Sequence, residues 1–377
     1  MKLRIALLTS LGLTLLLTLC LSSVRPSLAG YSSIRCADYA PNGRTFLLCR
    51  QNGSLEIRDA RTGKLVQTFS SQNGPVANAI YAPDAKTVAL GTAWGAVELV
   101  SMDGTQHNIL AGKAENEYNG AVVAFSPHGK LLLSGTYSGE ATLWDVATKH
   151  PKFSLSVEGG IGQVMFAPDN KTAAILTNHQ KMLILDTTTG KVVRHLEDIT
   201  GTSRYSSNSR WLLVNRYDLS LQKCVITVYD VRDDNPLYLL TSTSADGSPL
   251  CYESLAVSVD NMIAATSTRS EKDLTIWSLS TGKVVRTFEA HEDTIYNIRF
   301  SPNGHLLLTS SGASVKLWNV ASGKLMQTFT SGDPEMDGLQ PMFVAFAPDS
   351  HTLLTAGLYD DAHMWDLRTG KELFQIH

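Results

Sequence analysis

Phe125-Ser126-Pro127-His128-Gly129, followed by Trp144-Asp145 seventeen residues after the proline, decides the fold because this arrangement recurs along the chain. The proline presets φ for a tight turn, and an Asn, Asp or Gly behind it tolerates the left-handed backbone position. Apolar residues alternate with other residues on both sides of the turn. That pattern predicts a β-hairpin at each copy.

Eight copies of this turn occur about forty to fifty residues apart. Six contain a proline, at Pro41, Pro83, Pro127, Pro168, Pro302 and Pro348, and two degenerate copies have Ser207 and Val259 at that position. A second landmark, an aromatic or apolar residue followed by Asp, Ser or Asn, comes after each turn and is clearest at Trp144, Trp277, Trp318 and Trp365. The distances from the proline position to this landmark are 17, 17, 17, 17, 22, 18, 16 and 17 residues. This constancy indicates a repeated structural unit, with an insertion in the fifth copy only.

A third landmark closes five of the units. It is a Thr/Ser-Gly-Lys turn, as in Thr189-Gly190-Lys191 and Thr281-Gly282-Lys283, and a strand-like segment follows it. Each unit therefore predicts four short antiparallel strands, a to d. Four-stranded units at this period resemble the blades of the WD40-repeat β-propeller family. The resemblance covers about residues 34–377, and the Gly-His pair that opens typical family repeats survives only as Ala290-His291.

The count of units predicts an all-β fold, an eight-bladed β-propeller of four-stranded antiparallel blades. A seven-bladed ring with one misread unit is the alternative. Residues 30–377 would form this single domain, with blades at about 34–70, 71–112, 113–155, 156–196, 197–240, 241–289, 290–330 and 331–377. Family rings usually close through an N-terminal strand that completes the last blade. Here the last unit has its own fourth strand, Glu372–Ile376, so closure by blade packing alone is expected.

The first twenty-nine residues have the pattern of a secretory signal peptide. Lys2 and Arg4 precede an apolar run, Ile5 to Leu21, and the small residues Ser27 and Ala29 precede Gly30. We expect cleavage and an exported protein, periplasmic or secreted, with no stable membrane insertion. An uncleaved N-terminal anchor is the alternative, because the run is near the lower limit for spanning a bilayer.

Removal of residues 1–29 eliminates three basic residues and no acid, and changes the formal net charge from −3 to −6. A mildly acidic chain lacks the positive surface that phosphate contacts require, so nucleic acid is not an expected partner. The expected partners are other proteins or peptides, and the expected state is a monomer.

Four cysteines remain after cleavage, and an exported chain permits disulfides. Cys36 and Cys49 lie symmetrically about the Asn42-Gly43 turn, and could face each other across the first hairpin. Cys224 and Cys251 are a second candidate pair, placed after loops on the same face. Free buried thiols are the alternative for both pairs.

The repeated tryptophans are expected to fill the space between blades. Other aromatic and basic residues fall in the predicted b–c loops. The resemblance implies that these loops and the d–a loops share one face that commonly binds partners. The candidate partner-binding residues are Arg50, Trp94, Tyr137, His179, Tyr217, Arg269 and Tyr359. An insertion at 217–222 lengthens the same face, and the alternative is that these are ordinary loop residues packed flat on their neighbours.

No nucleophile elbow, phosphate loop, metal-binding helix or repeated pair of carboxylates is present. We therefore expect no catalytic residues, no metal and no cofactor. The leading hypothesis is a non-enzymatic interaction scaffold outside the cytoplasm. The second hypothesis is a small-ligand-binding or enzymatic propeller with a site at the mouth of the central channel. No polar constellation is expected to converge there from the starts of the a strands.

Overall fold

The computed structural model describes residues 34–50, 52–112, 119–231, 236–241, 252–268, 272–312, 314–330, 341–357 and 361–376. These residues form β-strands joined by turns. No helix among them is long and apolar enough to cross a membrane.

The strands follow one another in sets of four along the chain. Blades 1 and 2 contain β1 (Ile34–Tyr39), β2 (Thr45–Arg50), β3 (Ser54–Asp59), β4 (Leu65–Ser70), β5 (Val76–Tyr81), β6 (Thr87–Thr92), β7 (Val97–Ser101) and β8 (His107–Ala111). Blades 3 and 4 contain β9 (Ala121–Phe125), β10 (Leu131–Thr136), β11 (Glu140–Asp145), β12 (Pro151–Ser156), β13 (Ile161–Phe166), β14 (Thr172–Thr177), β15 (Met182–Asp186) and β16 (Val192–Leu196).

The second half of the chain repeats this order. Blades 5 and 6 contain β17 (Ile199–Tyr205), β18 (Trp211–Asp218), β19 (Lys223–Asp230), β20 (Pro236–Leu240), β21 (Tyr252–Val257), β22 (Ile263–Thr268), β23 (Asp273–Ser278) and β24 (Val284–Glu289). Blades 7 and 8 contain β25 (Asn297–Phe300), β26 (Leu306–Ser310), β27 (Val315–Asn319), β28 (Leu325–Phe329), β29 (Pro341–Phe346), β30 (Thr352–Gly357), β31 (Ala362–Asp366) and β32 (Glu372–Ile376).

Every blade is an antiparallel sheet of four consecutive strands, which confirms the eight-bladed fold and excludes the seven-bladed alternative. The last sheet is β29-β30-β31-β32, and β1 pairs within its own blade. Among the described residues, no strand from elsewhere in the chain joins the last blade, as predicted. Packing must close the ring.

The b strands show why blades pack on both sides. In β2, Phe46 and Leu48 face blade 8, whereas Leu47 and Cys49 face blade 2, and all four are fully buried. Successive side chains of a strand point to opposite faces, so a strand covered on both faces is a continuous apolar run. Eight apolar clusters of this kind occupy the eight blade interfaces, including the one between blades 8 and 1.

The four repeated tryptophans lie in these interfaces, as expected. Each is at most 7% exposed. Each indole N–H donates, at 2.9 Å, to a hydroxyl of the neighbouring b strand, the acceptors being Ser134, Thr266, Thr309 and Thr355. In blade 7 the Thr309 hydroxyl also lies 2.7 Å from Nε2 of His291. Burial and the charge of Lys316 lower the pKa of His291 to about 4, so this ring is neutral at pH 7.

The ring has two distinct faces. In an antiparallel blade, a–b and c–d turns lie at one end and b–c turns and d–a connections at the other. We call the first the lower face and the second the upper face. The a strands of most neighbouring blades contact one another, so these strands surround the axis of the ring.

Candidate functional site

The upper-face turns of blades 2, 3 and 4 are held by backbone hydrogen bonds. The first residue of each b–c turn donates its N–H to the d–a segment that enters the same blade. The bonds are Ala93 N–H to the Pro75 carbonyl (2.8 Å), Tyr137 N–H to Gly120 (3.1 Å) and Asn178 N–H to Gly160 (2.7 Å). These turns are therefore fixed in position by the blades beneath them.

Three side chains that were candidates from the sequence are presented by these turns. The ring of Trp94 lies against Gly74, where an added methyl carbon would come within 2.6 Å of it. A methyl carbon added at Gly159 would come equally close to the ring of His179. One added at Gly120 would lie 3.4 Å from the ring of Tyr137. Glycine is required beneath Trp94 and His179, because any larger side chain at Gly74 or Gly159 would clash with the ring, whereas a methyl carbon at Gly120 would only touch Tyr137.

We call Trp94, Tyr137 and His179 the upper rim. One side of each ring packs on its own blade, as the flat-packing alternative predicts. The other side reaches solvent, since Tyr137 is 55% exposed, His179 is exposed and Trp94 is half-buried. The three residues occupy equivalent turns of consecutive blades. The structure thus places one preoriented ring on the upper face of each of these three blades.

A buried carboxylate holds the segment beneath Trp94. Glu98 in β7 is fully buried and accepts hydrogen bonds from the Ser71 hydroxyl (2.6 Å) and the Asn73 amide (2.8 Å). Its second oxygen lies 2.6 Å from Nε2 of His107. The Thr92 hydroxyl donates to the Asn73 carbonyl at 2.9 Å. These bonds hold the connection that carries Gly74, and so keep Trp94 in place.

Arg50 lies elsewhere than expected. It is the last residue of β2 rather than a loop residue, and it is only 5% exposed. Its guanidinium binds Glu56 at 3.1 Å, and Arg58 binds the same carboxylate at 2.7 Å. Burial alone would raise the pKa of Glu56, but hydrogen bonds and charge from the two arginines lower it below its usual value. Arg50 thus forms its ion pair within blade 1, because a guanidinium group next to a half-buried carboxylate forms a strong, charge-assisted hydrogen bond with it.

Tyr217 also belongs to a strand. The insertion at 217–222 lengthens β18 and β19 to eight residues each, with Tyr217 half-buried opposite Cys224. The expectation of a longer loop was wrong, because the added residues continue the backbone pairing. Arg269 and Tyr359 lie outside the described residues.

The lengthened hairpin of blade 5 adds apolar surface to the upper face. Oδ1 of Asp218 accepts bonds from the Ser220 hydroxyl (2.6 Å), the Ser220 N–H (2.9 Å) and the Leu221 N–H (3.1 Å). The bonds from Ser220 and Leu221 lower the pKa of Asp218 to about 2, so the carboxylate stays ionised and holds the turn. Leu219 and Leu221 are 64% and 46% exposed on it. The sequence indicated the insertion but not that two leucines would be held outward.

Cys36 and Cys49 are disulfide-bonded across the first hairpin, with their Cα atoms 4.9 Å apart and directly opposite in register. Cys224 is buried and disulfide-bonded. Its predicted partner, Cys251, lies outside the described residues.

The central channel holds three charged residues that the sequence analysis missed. Asp38 in β1, Arg204 in β17 and Arg299 in β25 occupy the same register position, opposite Leu47, Leu213 and Leu308 of their b strands. Each directly precedes the aromatic residue of the turn motif. That position could have revealed them, since it is the next-to-last of every a strand and lies near the lower mouth of the channel.

Arg299 interacts electrostatically with Arg204 and with Asp38, which lie in non-adjacent blades. The channel encloses Arg204, and burial lowers its pKa to about 10 with a further contribution from the charge of Arg299. The surrounding channel wall partly removes water from Arg299 and lowers its pKa, while the charge of Asp38 raises it. Burial raises the pKa of Asp38 to about 6, although the backbone of Tyr39 and Tyr81 and the charge of Arg299 oppose this. Blades 1, 5 and 7 can couple in this way only through the channel.

Among the described residues, no group of three or more His, Cys, Asp or Glu side chains could hold a metal ion. The histidines there include His291, which serves the packing of blade 7, and His179, which belongs to the upper rim.

Comparisons with known proteins fit this geometry. A family model described as "WD domain, G-beta repeat" matches residues 121–145 and 282–319. A WD repeat-containing protein, SL1-17, of Schistosoma mansoni is 25% identical over 145 residues, covering 38% of this chain and 46% of that protein. The probable U3 small nucleolar RNA-associated protein 18 of Schizosaccharomyces pombe is 21% identical over 252 residues, covering 64% of this chain and 48% of that protein.

Autophagy-related protein 16 of Arabidopsis thaliana is 20% identical over 200 residues, covering 51% of this chain and 36% of that protein. The chain thus spans less than half the length of these curated relatives. Among solved structures, that of the computationally designed protein Ika8 superimposes with a TM-score of 0.71 at 16% identity, covering 89% of this chain and 97% of that one. This last similarity concerns the fold alone.

Replacement of Gly74 by alanine tests whether the glycine holds the Trp94 ring in place. Gly304→Ala is the matched control, because both glycines have positive φ but a methyl carbon at Gly304 would meet nothing within 4 Å. Both variants should lose about 1–2 kcal/mol of stability from backbone strain. Only Gly74→Ala should shift the Trp94 indole N–H resonance in a ¹H–¹⁵N NMR spectrum, with that resonance assigned by its loss in Trp94→Phe. Unchanged Trp94 signals in Gly74→Ala would contradict the proposed packing.

The raised pKa of Asp38 predicts a specific pH dependence of stability. The folded state binds this proton more tightly than the unfolded chain, so the ionised carboxylate destabilises the fold as pH rises from about 4 through about 6. Asp38→Asn should therefore be more stable than the natural protein by about 1–2 kcal/mol at pH 8, and the difference should vanish near pH 4. Urea unfolding at several pH values measures it, with exposed Glu197→Gln as the control for net charge. Parallel curves for Asp38→Asn and the natural protein would refute the assignment.

Proposed function

Because the chain belongs to the WD40-repeat β-propeller family, we propose that it is a non-enzymatic scaffold that binds another protein or peptide through its upper face. The upper rim supports the proposal, because two exposed rings and one half-buried ring are fixed there on equivalent turns of consecutive blades. WD40 propellers typically bind other proteins.

The chemistry of the upper rim suits a binding surface. Aromatic residues are enriched among the side chains that dominate protein interfaces, because they bury a large area and lose little conformational entropy. Trp94 and His179 are held on glycines before any partner arrives, which lowers the entropy cost of binding. The exposed Leu219 and Leu221 extend the apolar area of the upper face in blade 5.

The charge of the chain argues for a protein partner. Its formal net charge is −3, and it becomes −6 without residues 1–29, which gives no general attraction for nucleic acid. We propose a monomer that associates with a partner of different sequence.

We also propose that the protein acts outside the cytoplasm, in the periplasm or as a secreted protein. The signal-like segment 1–29 supports this location, as does the disulfide between Cys36 and Cys49. Disulfides persist in oxidising compartments and are rare in the cytosol.

Affinity capture of the tagged protein from its native envelope and secreted fractions tests both proposals. A partner should co-purify in a fixed ratio. The triple variant Trp94→Ala, Tyr137→Ala and His179→Ala should reduce its recovery at least about tenfold, since hot-spot side chains often contribute more than 2 kcal/mol each. N-terminal sequencing of the captured protein should begin at Gly30.

The matched control lies on the lower face. Val259 and Met262, in the a–b turn of blade 6, are 45% and 53% exposed, and their double replacement by alanine should leave recovery unchanged. Loss of the partner in this control, or its retention by the triple variant, would show that the upper rim is not the binding surface. A chain that retains residues 1–29 would instead support the membrane-anchored alternative.

A further inference from the structure

The charged residues of the channel form a half-ring. At the register position of Asp38, Arg204 and Arg299, the intervening blades 6 and 8 have Ala256 and Ala345. Charged side chains thus alternate with alanines over blades 5 to 1. The opposite arc, formed by blades 2 to 4, is apolar. Its residues are Ile80, Ala124 and Met165.

This half-ring has an excess of positive charge. It contains two guanidinium groups and one carboxylate, and among the described residues neither arginine forms an ion pair within 4 Å. The hydrogen bonds they make go to carbonyls at the preceding positions of their own strands, Ser203 (2.9 Å) for Arg204 and Ile298 (3.3 Å) for Arg299. A guanidinium has five N–H donors, so most of this donor capacity is not used by the described protein groups.

A small side chain separates the two arginines. Ala256 lies between Arg204 and Arg299 around the ring, and a methyl group fills far less of the channel than the side chains that flank it. Arg299 lies on an innermost strand yet is exposed, so the solvent it meets is that of the channel. Close by, the buried hydroxyl of Thr202, on the same strand as Arg204, has no hydrogen-bond partner among the described residues.

We propose that the lower mouth of the channel binds a small soluble oxyanion, a carboxylate or phosphate group held between Arg204 and Arg299. The N–H groups of a guanidinium match the spacing of the oxygens in a planar carboxylate or a tetrahedral phosphate and form charge-assisted hydrogen bonds with them. The anion would replace the missing negative charge between the two arginines. The site faces away from the upper rim and does not depend on the function proposed for that rim.

Isothermal titration calorimetry with inorganic phosphate and, separately, with acetate tests the proposal. Both titrations are made on the mature protein at constant ionic strength in sodium chloride. We expect saturable binding of one anion per chain, for at least one of the two probes. The arm that binds more tightly distinguishes a phosphate site from a carboxylate site.

Arg204→Gln and Arg299→Gln should each weaken binding at least about tenfold, the range measured for hydrogen bonds to charged groups. Arg44→Gln is the control, because Arg44 is exposed in the lower-face turn of blade 1 and should not affect binding. Asp38→Asn should strengthen binding several-fold, about threefold to tenfold, by removing the competing carboxylate. A gain of this kind cannot come from a loss of folding.

The proposal would be overturned if neither probe bound saturably at about 10 mM. It would also be overturned if Arg204→Gln and Arg299→Gln, shown to be folded by thermal melting, bound the anion with unchanged affinity. Unchanged or weaker binding in Asp38→Asn would likewise contradict it.

Discussion

The packing of each blade against both neighbours is the constraint on which the rest of the structure depends. A four-stranded blade has two apolar faces, and neither is covered until a blade lies on each side. The alternation in β2, where Phe46 and Leu48 contact blade 8 and Leu47 and Cys49 contact blade 2, shows one strand serving two interfaces. Since none of the strands that the structure describes is exchanged between blades 1 and 8, the apolar cluster around Ile34 and Met364 must hold the ring closed.

This constraint leaves the ends of the blades free to vary. The strands must keep their length and register to fill the interfaces, whereas the turns need only return the chain. Departures from the common pattern are therefore informative. They are the rings of the upper rim in blades 2 to 4, the lengthened hairpin of blade 5, and the charged half-ring at the lower mouth of the channel. The upper rim and the half-ring lie on opposite faces and present different chemistry, one aromatic and one cationic.

The repeated turn and the tryptophan landmarks were enough to predict the fold, because both are local and each determines a hairpin. The same features predicted the buried tryptophans and the independent fourth strand of blade 8. They could not assign Arg50, since its burial depends on Glu56 in the next strand, and they mistook the insertion near Tyr217 for a loop when it extends the strands. The electrostatic interaction of Asp38 with Arg299 could not be predicted from the sequence, because it joins blades that are distant in the chain.

Hydrogen–deuterium exchange of the protein with and without its captured partner would show which face binds. We expect slower exchange on binding in the upper-face turns at residues 92–97, 136–140 and 177–182. We expect no change in the lower-face turns, such as residues 41–44 and 258–262. Protection confined to the lower face, or an upper face that exchanges equally fast in the complex, would contradict binding through the upper face.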